Sequence, residues 1–143
     1  MSSNTYSSIW LHLVWSTKGR NPLLQKRIRH SVYSNIKKSA EDINILVDHI
    51  NGVEDHVHIL ASIMPVHSAS NIAKKLKGSS SKWINDENLC DEYFEWQVGF
   101  SAFSVSPTQL DKVRAYIRNQ ERHHAKTSFA DEMKELERIA SLY

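Results

Sequence analysis

Apolar and polar positions along this chain switch between two periods, and the switches mark its elements. Residues 6–16 are β-branched and aromatic. Ile9, Leu11, Leu13 and Trp15 share one face at period two, and Trp10, His12 and Val14 share the other. Apolar character on both faces predicts a central strand. Thr17 to Pro22 carries turn residues. Residues 23–40 take the helical period, with Leu24, Ile28, Val32 and Ile36 four apart. Residues 43–50 predict a second strand, Asn51-Gly52 a hairpin turn, and residues 53–63 the partner strand, ended by Pro65. Residues 68–85 predict a helix, in spite of Gly78 and the run Ser79-Ser80-Ser81. Asp86 to Glu95 reads as an acidic loop and Trp96 to Val105 as a fourth, aromatic strand. Ser106-Pro-Thr-Gln109 places Ser at the N-cap, Pro at the first helical position and Gln at the third, which predicts a helix running to about His124. Ser128 opens a short last helix with Met133, Leu136, Ile139 and Ala140 as its apolar side.

The resulting order is β-α-β-β-α-β followed by helices, without internal repeats. It predicts an α+β fold, a ferredoxin-like sandwich with an antiparallel sheet. The first and third strands lie in the middle, the first two helices cover one face, and the opposite face is expected to be open.

Composition changes this picture little. With 143 residues the chain suits one domain, 1–143. Four Gly and three Pro exclude collagen-like or low-complexity chains. No apolar stretch approaches a membrane span, and Met1 to Tyr6 lacks the basic start and apolar core of a leader, so no membrane association and a cytoplasmic location are expected. The single Cys90 cannot pair within the chain, which suits a reducing compartment. It sits in an acidic loop with no base nearby in sequence, which speaks against a thiol nucleophile.

Charge is more informative in its distribution than in its sum of +2. Residues 1–40 hold seven basic residues (Lys18, Arg20, Lys26, Arg27, Arg29, Lys37 and Lys38) and no acid. The remaining eleven basic and sixteen acidic residues leave the rest of the chain at −5. Within it, residues 56–85 again lack acids and carry Lys74, Lys75, Lys77 and Lys82. Two such tracts could bind a polyanion such as nucleic acid, but charge clusters of this size taken alone favour solvated helix faces. The acids of the 86–95 loop and last helix are expected to point away from the basic tracts.

Two motifs carry chemistry. In His56-Val57-His58, strand alternation puts both imidazoles on one face. Two imidazoles one strand step apart can grip a divalent metal; they can also be plain polar residues of a half-exposed strand. Tyr116 and Gln120 are i and i+4 on the capped helix, beside the stripe Leu110, Val113 and Ile117. A Tyr there is often core edge, whereas a semi-buried amide needs partners, and a metal would be one. A phenol is a weak nucleophile near neutral pH, and a cation beside it favours phenolate and polarises a phosphate under attack.

These segments resemble a known family. Glu54-Asp-His-Val-His-Ile-Leu60 contains an HUH motif (His, bulky apolar, His), and Tyr116-Ile-Arg-Asn-Gln-Glu-Arg-His-His124 is similar to the tyrosine helix of the single-tyrosine HUH transposases, the IS200-like enzymes of small insertion sequences with their REP-associated relatives. His12 to Arg20, Leu76 to Lys82 and Trp96 to Val105 resemble the family's other segments, so the likeness spans nearly the whole chain. It implies a domain whose C-terminal helices carry a catalytic Tyr116. The enzyme would cut and rejoin single-stranded DNA through a 5′-phosphotyrosine and release a 3′-hydroxyl. It further implies Mg²⁺ or Mn²⁺ on His56, His58 and Gln120, recognition of hairpin ends, and a homodimer. A domesticated nickase, or an inactive nucleic-acid-binding module of the same fold, are the alternatives.

His12, on the central strand, is read either as a group behind the metal ligands or as a buried, hydrogen-bonded histidine. Lys18, Arg20, Lys74, Lys75, Lys77 and Lys82 are the candidate DNA contacts. Trp15, Trp83, Phe94 and Trp96 are expected mostly in the core, with base stacking as the alternative. His123-His124 invites a zinc reading, but with no Cys or second His pair at finger spacing it reads rather as favourable charge at a helix C-terminus. Asp48 and His49 receive no role.

Overall fold

Four strands form one sheet in the order β2-β3-β1-β4: β1 (Ile9–Ser16), β2 (Leu46–Gly52), β3 (His56–Ile63) and β4 (Ser101–Val105). Every neighbouring pair is antiparallel. This is the ferredoxin-like order, with β1 and β3 central. The structure is a computed structural model and describes residues 4–142; the absence of a leader, read in part from Met1–Ser3, lies outside them. No described helix is long and apolar enough to cross a membrane.

Alternation along β1 and β3 decides what lies on each face. Leu13 and Trp15, with Val57, Ile59 and Ala61, enter the main core. They meet Ile28, Val32 and Ile36 of α1 (Lys26–Glu41) and Ile72, Ala73 and Leu76 of α2 (Ala69–Asp86). Each such aliphatic side chain contributes roughly 2 kcal/mol on burial. Phe94 and Trp96 join this core, and the Trp96 indole donates to Ser80 Oγ at 2.9 Å. That commits Trp15, Phe94 and Trp96 to packing.

Several boundaries differ from the sequence pattern. Residues 43–45 stay outside the sheet; Asn44 adopts φ 60° in the turn that follows α1, and β2 begins at Leu46. Asn51-Gly52 ends β2 rather than forming the turn, which lies at residues 53–55. Gly52 is required there, because a Cβ would sit 2.1 Å from the His56 carbonyl oxygen. The fourth strand is only Ser101–Val105; Gly99 at φ 94° separates it from Trp96, which makes an isolated bridge to Thr17. The helix after Ser106 is divided into a 3-10 turn (Pro107–Gln109), α3 (Leu110–Arg118) and α4 (Gln120–His124). Asn119 leaves helical geometry, and Asn51 Nδ2 donates to the freed carbonyls of Ile117 at 2.9 Å and Arg118 at 3.2 Å.

The second sheet face is not open. The C-terminal helices α3, α4 and α5 (Phe129–Ala140) cover it, and His12, His56 and His58 beneath them are buried. The reason is polar as well as apolar. A bulge between Val47 and His49 turns Asp48 toward α3, where its carboxylate takes Arg114 Nε at 2.8 Å and Arg114 Nη2 at 3.0 Å. Arg118 meets His49 Nε2 at 3.1 Å. Asp48 and His49, which the sequence pattern leaves without a role, therefore dock the helix that carries Tyr116.

Candidate active site

β3 delivers His56 and His58 to the helix-covered face, opposite Ser16 and Val14 of β1. Both are fully buried. Each imidazole is fixed from its far nitrogen. His56 Nδ1 meets Asp55 Oδ1 at 2.7 Å, and His58 Nδ1 meets His12 Nε2 at 2.7 Å. His12 thus lies directly behind His58, with ring centroids 5.0 Å apart. The near nitrogens converge on one oxygen: His56 Nε2 and His58 Nε2 are each 3.1 Å from Glu132 Oε1.

The break at Asn119 keeps Tyr116 and Gln120 on the same side. Tyr116 Oη donates to Glu132 Oε2, and Gln120 Nε2 donates to the same oxygen at 2.9 Å. Gln120 Oε1 lies 3.2 Å from His56 Nε2. The structure therefore brings together Tyr116, His56, His58, Gln120 and His12 around a single carboxylate.

Two members of the cluster are absent from the sequence-based set. Glu132 comes from the first turn of α5, held by Ser128 Oγ accepting from Asp131 N at 3.2 Å and by Phe129, whose ring lies 4.4 Å from that of His56. It is 2% exposed, so the expectation that acids of the last helix point elsewhere fails at this residue. His124 ends α4 and directs Nε2 to Glu132 Oε1 at 2.8 Å; it lies inside the site rather than serving as helix-end charge. His56, His58, His124 and Glu132 offer ligand atoms within 4.8 Å of one another. The neighbouring His123 Nε2 stands 3.7 Å from Glu132 Oε2.

Electrostatics follow from burial and this pairing. Burial pulls His56 down, but Asp55 and Glu132 outweigh it and raise its pKa to about 9. Burial dominates at His58, lowered to about 4. It dominates too at His12, lowered to about 3 with help from His58. Burial pushes the Tyr116 phenol well above its ordinary range, and the Glu132 carboxylate pushes it further. Glu132 itself is opposed by burial, yet hydrogen bonds from His124, His56 and His58 hold it far below the usual carboxylate range.

The basic residues divide. Lys18 and Arg20 follow β1 on the HUH side of the sheet's end, and Arg20 lines a cleft with Asp55, His124, Thr127 and Phe129. Lys18 pairs with Glu95 at 3.0 Å. Lys74, Lys75, Lys77 and Lys82 ride on α2, across the sheet from the histidines. Lys77 Nζ donates to the carbonyls of Gln97 and Gly99, and Lys82 pairs with Asp86. Cys90 donates to the Leu23 carbonyl, and burial raises its thiol.

A family model described as "Transposase IS200 like" matches residues 5–120. The ISDra2 transposase TnpA of Deinococcus radiodurans is 24% identical over 114 residues, 76% of this chain and 81% of that protein. The transposase for insertion sequence element IS200 of Salmonella typhimurium is 28% identical over 121 residues, 76% of this chain and 74% of its own. A crystal structure from Deinococcus radiodurans R1, provisionally assigned as a transposase, superposes with a TM-score of 0.67 at 21% identity, covering 84% of this chain and 96% of that one. A REP-associated tyrosine transposase bound to a REP hairpin superposes with a TM-score of 0.65 at 13% identity, covering 89% of this chain and 76% of that one. At these identities the two structures speak to the fold alone.

Proposed function

As the chain belongs to the IS200-like transposase family, and is by that membership a DNA-cleaving transposase, we propose that it cuts and rejoins single-stranded DNA through Tyr116. The observation that carries this reading is the meeting of Tyr116 Oη and Gln120, from the C-terminal helices, with the two histidines of β3 around one carboxylate. A phenol, an amide and paired imidazoles from separate elements converge on one buried carboxylate.

The donor set fits a divalent cation. His56 and His58 point Nε2 toward a common centre while their Nδ1 atoms are held by Asp55 and His12, the arrangement of metal-ligating imidazoles. His56, His58 and Gln120 would hold Mg²⁺ or Mn²⁺. When bound, the cation would polarise the phosphate and favour the phenolate. Tyr116 Oη would bond to the scissile phosphorus while the bond to the 3′ oxygen breaks. The 5′-phosphate stays on Tyr116, and the departing oxygen takes a proton to become a 3′-hydroxyl. The phenol proton already faces an acceptor, Glu132 Oε2. The covalent bond to Tyr116 conserves the energy needed for rejoining.

Arg20, which lines the cleft, and Lys18, two residues before it, would contact phosphates of an entering strand. Lys74, Lys75, Lys77 and Lys82, on the opposite layer, would serve DNA flanking the cleavage point rather than the reacting phosphate. The hairpin bound to the REP-associated relative supports hairpin ends as the DNA partner. The working unit would be a cytoplasmic homodimer of single-domain chains, 1–143.

The test is a labelled hairpin oligonucleotide from an element end, incubated with protein and Mn²⁺ and resolved under denaturing conditions. Wild type should form an adduct that resists denaturation, and Tyr116→Phe should form none. An adduct that persists in Tyr116→Phe refutes the assignment.

A further inference from the structure

We infer that His124 and Glu132 are metal ligands of this protein, joining His56, His58 and Gln120, so that the cation is held by three imidazoles, an amide oxygen and a carboxylate and ties α4 and α5 to the sheet. The inference deepens the proposed function and rests on its metal site. Both residues lie beyond residues 5–120, the stretch matched by the family model.

His124 has the orientation of a ligand rather than of a bystander. Its Nδ1 lies 2.6 Å from the Thr127 carbonyl oxygen, which can only accept, so Nδ1 carries the hydrogen. Nε2 is the atom left to face the centre, as ligating histidines are set by a carbonyl or carboxylate behind them. His56 is oriented likewise by Asp55, and His58 is held by His12. Three rings anchored from behind thus aim three Nε2 atoms at one point, and Glu132 Oε1 stands 2.8–3.1 Å from each. Glu132 is 2% exposed, and a carboxylate so enclosed is retained where positive charge, from a protonated imidazole or a metal, offsets its desolvation. Its other oxygen is held by Gln120 Nε2, which orients the carboxylate.

The local chain explains why these two residues arrive together. His124, at the end of α4, and Glu132, in the first turn of α5, flank one short connection. Thr127 in that connection supplies the carbonyl behind His124, and Ser128 caps the helix bearing Glu132. An imidazole-rich donor set favours a softer ion, so Mn²⁺ should be preferred to Mg²⁺.

Mn²⁺ binding to the full, chelator-stripped chain tests this directly. Free Mn²⁺ is read by electron paramagnetic resonance, and circular dichroism confirms folding of each variant. Glu132→Gln and His124→Ala should each weaken Mn²⁺ binding by at least about tenfold, since even residues behind a ligand cost that much. Mg²⁺ should displace Mn²⁺ from wild type only in large excess. If either variant binds Mn²⁺ as tightly as wild type or more tightly while His56→Ala loses it, the inference is overturned; an E132Q gain would make Glu132 a competitor for the site. If wild type binds no Mn²⁺, or His56→Ala binds as wild type does, the metal reading itself fails. Should E132Q not fold, His124→Ala decides alone.

Discussion

Raising the pH of the metal-stripped protein from 6.5 to 9 should destabilise it by about 3 kcal/mol, because His56 rises on folding from 6.5 to about 9. The sign follows from which state holds the proton. Below pH 6.5 the imidazole is protonated in both folded and unfolded chains, and its attraction to Asp55 and Glu132 is fully present. Between 6.5 and 9 the unfolded chain releases the proton while the folded one keeps it, so stability falls. The acid side behaves oppositely. His58 and His12, lowered to about 4 and about 3, stay neutral when folded but take up protons when unfolded below 6.5. Glu132, held low, adds to the loss once pH drops through the usual carboxylate range. Stability should therefore peak near pH 6.5. Urea denaturation in the presence of a chelator, at half-unit steps from pH 4 to 9.5, gives the curve. Asp55→Asn, which removes the carboxylate 2.7 Å from His56 Nδ1, should flatten the alkaline limb. A wild-type stability that is constant or rising between 6.5 and 9 would refute the placement of a charged His56 in this cluster.

Three substitutions test the supports of the site. Ser128→Ala removes the α5 N-cap and should cost about 1 kcal/mol, seen as a melting temperature lower by about 3 °C. Asp48→Ala frees Arg114 from a two-pronged, partly exposed pair; it should cost about 1 kcal/mol by denaturation, and adduct yield should drop while Mn²⁺ affinity stays near wild type. Gly52→Ala would force a methyl against the His56 carbonyl, 2.1 Å away, and should cost about 2–3 kcal/mol together with weaker Mn²⁺ binding.

Much of the fold was legible because its core obeys simple periods. The four-residue spacing of Leu24, Ile28, Val32 and Ile36 matched a buried helical stripe, and alternation in β3 put Val57 and Ile59 opposite His56 and His58. Boundaries set by tertiary contacts were not legible. Asn51-Gly52 has the composition of a hairpin turn, yet both residues pair with β3, at His58 and Val57. The Ser106 helix shows no breaker at Asn119; the break is supported by Asn51 from another element. The open sheet face was inferred from six elements of a common order, and the helices that follow those six cover it.

Glu132 was illegible for a different reason, and the reason bears on function. In α5 the apolar positions Met133 and Leu136 are only half-buried and Ile139 is exposed, while the acid between them and the cap is enclosed. Periodicity assigns acids to the solvated side because burying a lone carboxylate is strongly unfavourable. That rule fails only where compensating groups are supplied, and here they come from residues 56, 58, 116, 120 and 124, as far as 76 positions away. Stability alone gives little reason for such an arrangement, since buried ionic groups are often matched or bettered by apolar packing of equal volume. A fold that aims three anchored imidazoles, an amide and a phenol at one carboxylate accepts that cost for chemistry. The C-terminal helix thus supplies a buried member of the proposed site rather than only a cover over it.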